Sequence, residues 1–178
     1  MARAAIIQCR LDRVVFLPAN TSPFKQGKPP LFSPPQRLEL LRLTLAGESG
    51  LELSELDLRM PPPSWTWRLV ERWQERHPAD TLYWLMGTDQ WDQLHRWARF
   101  PWLAEQLHFI VYLRGDTAPV ERPGVRVSFI EARHPASSSG IRQCLREHLA
   151  LPSDWMNPKA EAKAREFYSG SVLKPRAF

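Results

Sequence analysis

The sequence predicts an α/β fold in which a parallel sheet carries helices on both faces. Three observations lead there. Short apolar runs, VVFLPA at 14–19, TLYWLMG at 81–87, HFIVYLR at 108–114 and VRVSFI at 125–130, are of the kind a sheet buries on both sides. Stretches of helical periodicity lie between them, and strands alternating with helices mean parallel pairing. Polar clusters then follow several strands, and open α/β sheets bind ligands outside their carboxyl ends.

The elements follow in order. MARAAIIQCR reads as helix from its first residue, with Ala4, Ile7 and Leu11 on one face. It leads into the strand at 14–19, so the pair forms the second half of a β-α-β unit whose first strand is absent. Residues 20–35 hold five prolines and are too long and irregular for a simple connection, which marks a functional loop. Gln36 to Ala46 is a helix with Leu38, Leu41 and Leu45 stacked along it. LELSELDL, 51–58, alternates as an edge strand does. MPPPS excludes helix before Ser64, and a helix from Trp65 to Arg76 packs Leu69, Val70 and Trp73. Helical stretches cover Gln90 to Phe100, Pro101 to Gln106 and Gly140 to His148. The expectation is one domain over 1–178, with 152–178 a C-terminal helical tail.

Hydrophobic residues make up 43% of the 178 and charged residues 24%, the composition of an ordinary globular domain rather than of disorder. The net charge of +5 is spread over scattered arginines, which suits an acidic small ligand about as well as a nucleic-acid surface, but the cations are not clustered and no recognition module is present. An RNA-binding role therefore ranks low. Cys9 and Cys144 sit in apolar helical patterns and read as small buried hydrophobes, not a disulfide or a zinc site. With no signal peptide visible and no apolar run near the ~18 residues of a membrane span, the expectation is a cytoplasmic protein with no membrane partner.

ASSSGIR, 136–142, places three hydroxyls and a cation at one helix start. One serine is enough for an N-cap. Ser137, Ser138 and Ser139 with Arg142 read as a seat for a phosphate chain, since helix-start N–H groups and a guanidinium both favour an anion. A capped helix with a surface arginine is the plain alternative.

FLPANTSPFK (16–25), SPPQRLELLRL (33–43), PPSWT (62–66), LMGTDQ (85–90), Trp97, FIVYLRG (109–115) and ASSSGIR, in this order and spacing, resemble the nicotinate-nucleotide adenylyltransferases. These belong to the nucleotidyltransferase superfamily and have a Rossmann-like fold of adenylyltransferase type. The resemblance runs from Ala4 to about Tyr168. Trp65 stands where the family has tyrosine, Ala136 where it has isoleucine, and Ser139 where it has threonine. The family's glycine-aromatic-proline-x-histidine-x-glycine-histidine run, on its first strand and the loop after it, has no counterpart. None of His77, His95, His108, His134 or His148 lies in such a context. The expectation is that the natural chain is longer; a truncated, inactive nucleotide-binding relative is the alternative.

The resemblance implies attack by the phosphate of nicotinate mononucleotide on the α-phosphorus of ATP, giving nicotinate adenine dinucleotide and pyrophosphate in NAD biosynthesis. Catalysis is then positioning and charge stabilisation, with Mg²⁺ carried largely on the phosphates and no metal site of the protein's own. ATP falls to Gly87, Asp89, Arg114, Ser137, Ser138, Ser139 and Arg142, with Lys25 and Arg142 as the catalytic cations. The nicotinate nucleotide falls to Asn20, Trp65, Thr66 and Trp97, Trp97 offering a stacking face. Loss of the tyrosine hydroxyl at Trp65 leaves nicotinamide mononucleotide open as the acceptor. Oligomeric state stays open.

Overall fold

The computed structural model describes residues 1–25, 30–113, 119–131 and 135–172. Five strands are present among them: β1 (Val14–Phe16), β2 (Leu51–Leu53), β3 (Tyr83–Gly87), β4 (His108–Leu113) and β5 (Val127–Glu131). Every pairing is parallel. The strands form two pieces, β1-β2 and β3-β4-β5. β1 and β3 face one another across a cavity of about 1660 Å³ lined by residues 14–17 on one side and 81–85 on the other.

Seven helices carry the connections within the described residues: α1 (Ala2–Cys9), α2 (Pro34–Leu45), α3 (Thr66–Arg76), α4 (Thr88–Asp92), α5 (Phe100–Gln106), α6 (Ser138–Arg146) and α7 (Pro158–Val172). β4 shows why helices cover both faces. Its buried residues alternate, Phe109 and Val111 joining Val70 of α3 and Leu103 of α5, while Ile110 and Tyr112 meet Ala5 of α1 and Ile130 of β5. A third cluster holds α2, α6 and α7 together through Leu40, Leu145, Ala160 and Ala164.

Ser33 starts α2 with a capping box, its Oγ accepting from the Gln36 N–H while the Gln36 side chain accepts from the Ser33 N–H. Ala160 and Ala164, both fully buried one turn apart, let α7 lie close against α2.

Several sequence expectations are corrected. The α1 face is wrong: Ala5 is buried and Ile7 is 77% exposed, because the helix rests on β5 through Ala5 and Cys9. On α2 the Leu38, Leu41 and Leu45 row is half-buried, and the buried residue is Leu40, which with Leu43 packs against α7. The strand predicted over 51–58 stops at Leu53, where Asp57 turns inward and a 3-10 turn follows. The single helix expected over Gln90 to Phe100 is broken. Arg99 takes a left-handed φ of 58°, separating α4 and a 3-10 turn from α5. The closing helix starts two residues earlier than predicted, at Ser138.

Candidate active site

Parallel strands put all their carboxyl ends on one edge, and three loops leave that edge: 17–22 after β1, 87–89 after β3 and 135–138 after β5. The first loop is clamped from both sides. Asp57, 4% exposed, accepts the Asn20 N–H at 2.8 Å, while Arg37 donates to the Ala19 carbonyl at 2.7 Å and to the Asn20 carbonyl at 3.4 Å. Burial pulls the Arg37 guanidinium below its ordinary pKa, the Asp57 carboxylate opposing, and its buried Nε has no hydrogen-bond partner among the described residues.

The same loop is tied to the segment before α3. Ser64 donates its N–H to the Thr21 carbonyl at 2.8 Å, and Ser64 Oγ accepts the Thr21 N–H at 3.1 Å. Asn20 therefore sits beside Trp65, the N-cap residue of α3, and Thr66, its first residue. Phe24 reaches the other way, with the Arg96 guanidinium 5.9 Å from its ring centroid, which brings the 94–97 turn alongside. Asn20, Trp65, Thr66 and Trp97 are thus gathered on neighbouring segments. Trp97 is half-buried, its ring edge-on to Trp84 at 6.0 Å, so part of its surface belongs to the core.

Gly87 is buried and caps α4, with Asp89 exposed in its first turn. Thr88 Oγ1 donates to the Tyr112 carbonyl at 3.1 Å, fixing this turn to the end of β4. At the third loop Ser137 is the N-cap of α6, its Oγ accepting the Gly140 N–H at 3.0 Å, so this hydroxyl does serve as a cap. Ser138 starts the helix beside it. Arg142 reaches back one turn to donate to Ser139 Oγ at 3.1 Å, which holds the guanidinium over the helix start. Ser137 and Ser138 line the cavity between β1 and β3. Arg114 lies outside the described residues, as does the side chain of Lys25.

The profile of the cytidylyltransferase-like family matches residues 1–144. A probable nicotinate-nucleotide adenylyltransferase of Methylacidiphilum infernorum is 31% identical over 145 residues, covering 81% of this chain and 71% of that protein. The chain belongs to the nicotinate-nucleotide adenylyltransferase family. A relative of the same description from Opitutus terrae is 32% identical across 78% of its length, and one from Rhodopirellula baltica is 35% identical across 55% of its own. The nicotinic acid mononucleotide adenylyltransferase of Plasmodium falciparum matches in structure at 18% identity with a TM-score of 0.67, covering 92% of this chain and 82% of that one. A Vibrio parahaemolyticus structure matches with a TM-score of 0.65 at 17% identity, covering 90% and 87%. Both show the shared fold.

Two described histidines of this adenylyltransferase family member, His77 and His108, lie away from the loops just described. His77 follows α3 and stacks on Trp73, and His108 opens β4 at the amino edge of the sheet with Nε2 2.9 Å from Ser128 Oγ. His95 is exposed, His148 packs edge-on against Tyr168, and His134 falls outside the described residues. Sequence reasoning missed Asp57 and Arg37. The available signal was an aspartate at an apolar position of LELSELDL, which was absorbed there into the strand alternation.

Among the described residues no helix is long and apolar enough to cross a membrane.

Proposed function

We propose that the chain catalyses transfer of the adenylyl group of ATP to nicotinate mononucleotide, releasing pyrophosphate. One observation carries this reading: the segments bearing the family's signatures converge on the carboxyl edge of parallel strands. The Asn20 loop is bonded to Asp57 and, through Thr21, to Ser64 just ahead of Trp65 and Thr66, and Ser137 and Ser138 form a helix start that lines the cavity between β1 and β3. The acceptor phosphate attacks the α-phosphorus and the P–O bond to pyrophosphate breaks, so no group on the protein is covalently modified. Arg142 and the α6 start, with Lys25 and Arg114, offset the charge on the leaving pyrophosphate. Gly87 admits the nucleotide to the backbone, Asp89 accepts from ribose hydroxyls, and Trp97 and Trp65 border the nicotinate ring.

The reading takes Mg²⁺ as carried on the substrate's phosphate oxygens. Bound there, the ion would neutralise phosphate charge.

Pyrophosphate release from ATP with nicotinate mononucleotide, compared with nicotinamide mononucleotide, tests the reading on this chain and on one carrying its upstream coding sequence. Turnover favouring the acid in either form is the expected result. No turnover from both overturns it, leaving a nucleotide-binding relative without catalysis.

A further inference from the structure

We propose that Arg99 is a positioning residue for Trp97: its guanidinium, seated against the rings of Trp67 and Trp102, holds the turn that presents the Trp97 face to the acceptor's nicotinate ring. The identity of the acceptor rests on the adenylyl-transfer reading; the turn and its clamp rest on the geometry of this chain.

The backbone supplies the first reason. Trp97 donates its N–H to the Leu94 carbonyl at 3.0 Å and its own carbonyl accepts the Phe100 N–H at 3.1 Å, so two successive turns meet at this residue. Arg99 is the third residue of the second turn and takes φ 58° and ψ 34°. Left-handed backbone at that place in a tight turn ordinarily belongs to glycine or asparagine. An arginine is disfavoured there by its own Cβ, so its side chain has to hold it.

The side chain supplies the second. The guanidinium carbon lies 4.6 Å from the Trp67 ring centroid and 4.8 Å from that of Trp102, while Nη1 donates to Glu71 Oε1 at 2.6 Å. The Arg99 and Glu71 side chains are 43% and 40% exposed, so the ion pair alone would count for little. Two ring faces and a carboxylate acting together give the guanidinium one preferred seat.

Placement supplies the third. Trp67 and Glu71 belong to α3, whose start carries Thr66 with Trp65 as its N-cap residue, whereas Trp102 belongs to α5. Arg99 therefore joins the segment bearing Trp97 to the segment bearing Trp65 and Thr66, the two walls proposed for the nicotinate ring. Leu94, fully buried, anchors the near end of the same turns.

The test compares Arg99→Ala with Arg99→Gly in the full chain. Both remove the clamp, but only glycine takes the left-handed φ freely. Ring stacking away from the reacting phosphates binds ground state and transition state alike, so it acts on KM rather than kcat. In Arg99→Ala the KM for nicotinate mononucleotide is expected to rise about tenfold, the size of one ring contact, with kcat and the KM for ATP within about twofold. Arg99→Gly is expected to stay within about threefold of the parent chain in all three. In the free protein the Trp97 indole N–H resonance, assigned with Trp97→Phe, is expected to shift in Arg99→Ala and to stay near the parent position in Arg99→Gly. An unchanged acceptor KM in Arg99→Ala, an equal rise in both KM values, or equal effects of alanine and glycine overturns the proposal. Loss of folding in both variants also overturns it, because Arg99 then holds the fold and not the ring. If the parent chain turns over neither nicotinate nor nicotinamide mononucleotide, adenylyl transfer fails and the indole resonance alone decides. A shift with alanine only then supports the clamp, and equal shifts overturn it.

Discussion

Arg142 and Ser139 are one helical turn apart, and their bond keeps a guanidinium at the place where α6 begins. Removing the charge with Arg142→Ala is expected to lower kcat/KM by about a hundredfold in steady-state pyrophosphate assays, with little change in melting temperature. Ser137→Ala acts differently. It deletes the cap and is expected to cost about 0.5–2 kcal/mol in urea unfolding. Asp57→Ala leaves the Asn20 N–H without its acceptor and Arg37 without its counter-charge, an expected loss of about 1–3 kcal/mol in the same measurement. Asp57→Asn retains an acceptor and should lose less. The serines and Arg142 were legible because hydroxyls and a cation ahead of an apolar face are unusual in sequence. Asp57 was not, since a buried carboxylate differs from a solvated one only through partners that the fold brings from 20 and 37.

At the scale of elements, α6 depends on a contact its own sequence does not announce. A Cβ on Gly140 would lie 2.8 Å from the Trp155 ring, so the chain after α6 folds back over this glycine. Gly140→Ala is expected to destabilise by about 1–3 kcal/mol and to shift tryptophan fluorescence as Trp155 moves. The start of β4 carries a pH dependence. Burial, helped by the Arg126 charge, holds His108 below the ordinary imidazole pKa. The unfolded chain then binds the proton more readily than the folded one. The contribution of His108 is complete above the unfolded value of about 6.5 and is lost as pH falls toward the folded value. Melting temperature should drop across this mildly acidic range, and the drop should shrink in His108→Gln. β3 and β4 were readable because their apolar runs are continuous. The break at Arg99 was not, because nothing in HRWARF replaces helix-forming residues with glycine or proline.

For the whole molecule, strand–helix alternation was enough to give the parallel sheet and the edge on which the candidate site lies. Alternation could not give the division of the sheet, which depends on which edges meet in space. Across the amino ends of that division Arg13, ahead of β1, pairs with Asp80, ahead of β3, at 3.0 Å, and Trp73 Nε1 donates to the same carboxylate at 3.0 Å. The Trp73 hydrogen bond leads in holding the Asp80 carboxyl below its ordinary range, with Arg13 adding to it. Such an exposed link ties two bodies loosely. The consequence concerns cooperativity. β4 is bonded on both sides and enclosed by two clusters, whereas β1 has a single neighbour, so the two sheet pieces need not open together. Native-state exchange in low urea should find the Val14 amide released at a lower free energy than the Phe109 amide. In that sense the chain behaves as two foldons that share one hydrophobic boundary.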